Sequence, residues 1–150
     1  MTTERNRVIT KLLNGTLSSL NTVVPMNFQA DKPQLVKQDF CLNFGVLIGI
    51  TGDLMGKLVL SGKPNVFGLI GNAMFNMPLE GEMLQSFSGE LGNMVAGGLS
   101  THISNNGINI NITAPTILQG DVTLSGFQQG LEVAVVFNQE NKMNTFLLLD

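Results

Sequence analysis

Ser86, Glu90 and Asn93 place a hydroxyl, a carboxylate and a carboxamide at intervals of four and three residues. On an α-helix with about 3.6 residues per turn these positions share one side, so the carboxylate and the amide can enter a common target together. A carboxylate attracts a cation. A carboxamide both donates and accepts hydrogen bonds. Gly89 and Gly97 stand one turn to either side of Asn93, where long side chains would otherwise flank it. The spacing therefore predicts an amide that stands clear of its neighbours. Taken alone, the same stripe is equally that of a solvated helix face.

The positions opposite this stripe are apolar. Leu84, Phe87, Leu91, Met94, Val95, Gly98 and Leu99 fall within about a third of the circumference, as expected of a helix that faces a core. The helix is predicted from about Glu80 to Asn105, with Asn106-Gly107 as a left-handed stop. Each glycine in a helix interior costs about 1 kcal/mol relative to alanine. A helix that keeps Gly89, Gly92, Gly97 and Gly98 implies that other surfaces approach it closely.

The rest of the chain supplies a sheet and two further helices. Arg5 to Val24 has helical apolar spacing and is closed by Pro25, and Pro64 to Met77 gives a second stripe bounded by Pro78. Strands are expected at Gln34 to Lys37, Phe40 to Thr51 and Leu54 to Leu60, the last two joined at Gly52-Asp53. Ile108, Ile110 and Ile112 alternate with Asn109, Asn111 and Thr113, the period of a strand with one wet face. Turns at Gly120-Asp121, Gln129-Gly130 and Asn141-Lys142 would separate strands at Val122 to Ser125, Leu131 to Phe137 and Thr145 to Leu149. The expected fold is α+β, a mainly antiparallel sheet with long helices packed on one face.

Composition narrows the function. The 150 residues suit a single domain spanning 1–150, with 43% hydrophobic and only 13% charged residues. A net charge of −3, scattered lysines and arginines and the lack of Tyr and Trp argue against nucleic acid or an anionic membrane as partner. No apolar run approaches the ~20 residues of a membrane span, and residues 1–13 are polar where a secretory signal would be apolar, so a cytoplasmic protein is expected. Cys41 has no second cysteine to pair with and is expected to be a small buried hydrophobe. His102, the one histidine, suits a capping or packing role, and no Cys/His cluster suggests a metal site. The methionines, including Met74, Met77, Met83 and Met94, are expected mostly in the core. Residues 49–57, Gly-Ile-Thr-Gly-Asp-Leu-Met-Gly-Lys, only superficially suggest a phosphate loop, because Leu58 stands where a magnesium-binding hydroxyl would be and a strand follows.

Residues 82–98, Glu-Met-Leu-Gln-Ser-Phe-Ser-Gly-Glu-Leu-Gly-Asn-Met-Val-Ala-Gly-Gly, closely resemble the phosphatase helix of the CheC, CheX and FliY family of bacterial chemotaxis. The family pattern is Asp or Ser, three residues, Glu, two residues, Asn, then a proline some twenty residues on. Ser86, Glu90 and Asn93 match it, and Pro115 fits the distal proline. Similarity to the CheX branch extends over most of the chain, including residues 52–56 and 114–120 and a single copy of the helix.

The resemblance implies a phosphatase that removes the aspartyl phosphate of a CheY-type response regulator. Glu90 and Asn93 are its implied catalytic residues: Asn93 would orient the attacking water and Glu90 would contact a receiver lysine. Ser86, Gly89 and Gly97 would meet the substrate protein, and Pro115 would shape the neighbouring strand. The implied Mg²⁺ belongs to the receiver, with no cofactor on this chain, and a homodimer is implied. The alternative is a non-catalytic module of the same fold that binds a response regulator or a flagellar component.

Overall fold

A computed structural model describes residues 2–150, with side chains from residue 6 onward. Among them three helices and eight strands follow in the order α1 (Thr2–Val23), β1 (Phe28–Ala30), β2 (Gln34–Val36), β3 (Phe40–Gly52), β4 (Gly56–Gly62), α2 (Pro64–Phe75), α3 (Gly81–Ser104), β5 (Ile110–Ile112), β6 (Thr116–Leu124), β7 (Gln129–Phe137) and β8 (Asn141–Leu149). The strands form one sheet in the order β1-β7-β8-β4-β3-β5, with β2 also on β7 and β6 also on β3. Each strand pairing is antiparallel. The expected α+β architecture is the one found.

Alternation within the strands sorts the side chains to two faces. Phe44, Val46, Ile48 and Ile50 of β3, Leu58 and Leu60 of β4, and Val133, Val135 and Phe137 of β7 join the core that also holds Leu12, Phe67, Leu91, Val95 and Leu99 from the helices. α3 is the hub of the helical layer, packing on α1, α2 and β3.

On the other face, Leu42, Val59, Phe146 and Leu148 make a second cluster. Its cover comes from the sheet itself. Pairing steps from Leu42↔Val122 to Phe44↔Gln119, so β6 carries one extra residue, and Gly120 lies there at φ 91°. Such a bulge bends and twists a strand pair. The start of β3 is carried back across the sheet, where Phe40 stacks on Phe146 at 4.3 Å between ring centroids and sits 6.0 Å from Phe127.

Several local expectations are corrected. Gly120-Asp121 is this bulge inside β6, not a turn. Gln129-Gly130 begins β7 and Asn141-Lys142 begins β8, and the chain reverses instead at Asn138 and Gln139, with φ 52° and 68°. β1 carries too short a pattern to be foreseen, and β4 starts at Gly56 instead of Leu54. Cys41 is exposed, its Sγ 3.5 Å from Thr123 Oγ1, because it lies on an outward position of β3. Met77 and Met83 are 42% and 54% exposed, outside the core assigned to them.

Candidate active site

α3 runs where the sequence puts it, and Gly107 at φ 79° turns the chain away after its end. Its glycines explain how it is seated. A Cβ on Gly92 would lie 2.8 Å from Val46 Cγ1, so the bare backbone rests directly on β3. Gly98 gives the same close approach to Ser19 of α1, whose hydroxyl donates to the Val95 carbonyl at 2.8 Å. Gly15 of α1 returns the fit, with Leu99 and His102 packed over it. His102 is half-buried there, the packing role expected of it. Near the start of α3, Gln85 Nε2 donates to Gln119 Oε1 of β6 at 3.0 Å.

The loop from β5 to β6 closes a third side. Thr113 N–H donates to the Gly49 carbonyl at 3.0 Å, and Gly49 N–H donates back to Thr113 Oγ1 at 2.8 Å. This hook fixes the loop to β3 and presents Pro115 to α3, where a Cβ on Gly89 would meet Pro115 and Ile117 at 3.6 Å. Gly89 is therefore buried, and its place is in packing α3 against Pro115 instead of on the open surface expected of it. Ser88, Gly92 and Ala96 are buried as well, beyond the single apolar stripe of the sequence reading, because the helix is covered on several sides.

What stays open is the polar stripe. Ser86 and Glu90 are exposed, Asn93 and Gly97 are half-buried, and nothing lies within 4 Å of a Cβ built on Gly97. The side chains of Ser86, Glu90 and Asn93 make no hydrogen bond or ion pair with any other described residue. Their capacity is unspent. Ser100, further along the stripe, is tied down by donating to the Ile110 carbonyl at 3.5 Å. An amide and a carboxylate, free of internal partners on a helix locked by three surfaces, can be presented to another molecule with little loss of side-chain freedom in their support.

Beside Glu90 lies a feature that periodicity alone did not reveal. Phe75, Met77, Leu79, Met83 and Phe87 line an open groove between the end of α2 and the first turns of α3, with Glu82, Ser86 and Glu90 along it. The signal was present in Phe75-Asn76-Met77-Pro78, apolar residues in a segment that leaves a helix. Among the described residues no cluster of three His, Cys, Asp or Glu side chains could hold a metal ion. No described helix is long and apolar enough to cross a membrane.

The family model for the chemotaxis phosphatase CheX matches residues 44–137, from the middle of β3 to the end of β7, a span that includes Ser86, Glu90, Asn93 and Pro115. The chain belongs to the CheX family. It is 29% identical over 143 residues to the CheY-P phosphatase CheX of Thermotoga maritima, covering 90% of this chain and 91% of that one. A CheC-like superfamily protein from Shewanella superposes with TM-score 0.79 at 23% identity, over 93% of this chain and 97% of its own. The CheX of a CheX-CheY-BeF3-Mg²⁺ complex from Borrelia burgdorferi gives TM-score 0.79 at 18% identity, over 94% and 96%. These likenesses extend the shared fold over nearly all of the chain.

Proposed function

We propose that this CheX-family protein hydrolyses the aspartyl phosphate of a CheY-type response regulator and so ends a chemotaxis or related two-component signal. The observation that carries the reading is the pair Glu90 and Asn93, unpartnered on an outward stripe of a helix clamped to β3, α1 and the Pro115 loop. Neither side chain is spent on a bond that holds the fold together, so both are free to meet a partner.

The chemistry asks little of this chain beyond placement. Water attacks phosphorus, a new P–O bond forms, the bond to the aspartyl oxygen breaks, and inorganic phosphate and a free carboxylate result. The Asn93 carboxamide accepts a hydrogen bond from that water with its oxygen and steadies it with its N–H, setting its lone pair in line with phosphorus. This is the orienting task of a water-positioning amide in phosphoryl transfer. Glu90 pairs with a lysine of the receiver and fixes the depth and register of the intruding helix. Ser86, one turn earlier, touches the receiver beside it, and Gly97 leaves the space that a longer side chain would deny. The magnesium that neutralises the phosphoryl oxygens is carried by the receiver.

Residues 1–150 act as one domain, working in the cytoplasm where response regulators are found, and two copies pair as a homodimer. The decisive experiment is release of phosphate from a phosphorylated CheY-type receiver with and without this protein. Acceleration that vanishes in Asn93→Ala and Glu90→Ala, both with unchanged melting, supports the reading. Tight receiver binding with an unchanged phosphate lifetime would favour the non-catalytic module.

A further inference from the structure

Phe75, Met77 and Met83 are 56%, 42% and 54% exposed, three of the five large hydrophobic side chains that stand out from the described surface. They are gathered in one place, the groove between α2 and α3. The Phe75 ring meets Phe87 edge-on, with centroids 5.8 Å apart and planes at 86°, so the exposed aromatic is held in place. Methionines flank it, and their unbranched thioether chains adapt to a partner's shape.

We propose that this groove is the docking surface for the receiver domain itself, taking an apolar side chain of the receiver that is flanked by lysine or arginine. The proposal rests on the phosphatase reading, and two observations single out this occupant. The first is continuity. Ser86 and Glu90 line the groove and also belong to the outward stripe, so a body that covers Glu90 and receives Asn93 must lie over the groove as well. The second is charge. Glu82 and Glu90 line the groove, exposed Glu80 stands just before α3, and no lysine or arginine lines it. A second copy docked through the same patch about a two-fold axis would set these carboxylates against each other. A partner with cations around an apolar centre meets no such cost. Contacts of this kind set affinity and partner choice, leaving the placing of water to Asn93.

The test is the split between KM and kcat for a phosphorylated CheY-type receiver, together with titration of the same receiver loaded with beryllium fluoride and magnesium. In the double variant Phe75→Ser with Met83→Ser, KM and Kd should rise about tenfold or more while kcat at saturation stays within about twofold. Glu82→Lys should raise KM and weaken its dependence on salt. Asn93→Ala should do the reverse of the groove variant, losing kcat. The replaced side chains are exposed, so melting should hold. Unchanged KM and Kd in the folded double variant overturn the groove while the phosphatase stands. A drop in molar mass by light scattering in that variant, with receiver affinity intact, overturns it by giving the groove to a second copy. If the wild-type protein releases no phosphate, the phosphatase reading fails; receiver binding weakened by the double variant would then still support the groove, and no receiver binding at all would end both.

Discussion

Ser19 of α1 rests on bare backbone at Gly98 of α3: a Cβ built on Gly98 would collide with Ser19 Oγ and lie 2.9 Å from Ser19 Cβ. The same hydroxyl donates to the Val95 carbonyl, so one residue both marks how near the helices come and bonds them together. Gly98→Ala has to drive the helices apart or break that bond. Overpacking of this kind costs about 1–3 kcal/mol, and the midpoint of thermal or urea unfolding should fall accordingly. Ser19→Gly in the same chain makes room again. The double variant should be more stable than the two single losses added together, and strict additivity would mean that the contact is not what holds α1 on α3.

Asn93 and Glu90 call for the opposite outcome. Neither side chain is hydrogen-bonded or ion-paired to another described residue, and Glu90 is exposed, so alanine at either position should shift stability by less than about 0.5 kcal/mol. Activity should fall steeply. Loss of an orienting group in a water-excluded site costs about 2–4 kcal/mol of transition-state stabilisation, on the order of a hundredfold in kcat or more. Asn93→Ala should leave receiver binding nearly intact, because water is held only on the way to hydrolysis. Glu90→Ala should weaken binding as well, since the receiver lysine proposed as its partner is already present in the ground state. A kcat for Asn93→Ala within about threefold of wild type would remove the amide from the mechanism.

Gly97 separates the helix's own needs from its partner's. With nothing within 4 Å of a Cβ there, Gly97→Ala should stabilise the protein by up to about 1 kcal/mol through helix propensity alone. Gly97→Leu should fold equally well yet lower kcat/KM about tenfold or more, because its side chain would stand one turn from Asn93 on the face proposed to enter the receiver. A fully active Gly97→Leu would show that the receiver never comes close to this turn.

The same residues show what sequence can carry. α3 is legible almost to its ends, expected from Glu80 to Asn105 and found at Gly81–Ser104, since helical periodicity and an Asn-Gly stop are local signals. That Ser86, Glu90 and Asn93 share one outward side is legible for the same reason, whereas their role is read from the family resemblance. Gly89 is misplaced because a helical wheel supposes one buried face, whereas Pro115, more than twenty residues away in sequence, covers another. Gly120 illustrates a real degeneracy: a turn and a bulge both ask for a residue at positive φ, and only pairing with β3 decides between them. Met77 and Met83 are apolar in the core or on a docking surface alike, so hydrophobicity could not say which. Cys41 fell to the same ambiguity in the other direction.

Thr145 offers a test of the core that is independent of function. It lies in β8 with 1% exposure, between Leu60 of β4 and Val133 of β7, and its Oγ1 has no hydrogen-bond partner. A buried hydroxyl without a partner has lost its hydration with nothing in return, a cost of about 1–3 kcal/mol. Valine has nearly the same shape, suits a strand at least as well, and carries no group to satisfy. Thr145→Val should therefore stabilise the fold by about 1 kcal/mol, seen as a higher urea midpoint at unchanged m. Phosphatase activity should stay at the wild-type level, because β8 supplies no residue to the stripe on α3. A destabilised Thr145→Val would mean instead that the hydroxyl is satisfied in solution, and protection of the neighbouring amides from hydrogen exchange would then fall in the variant.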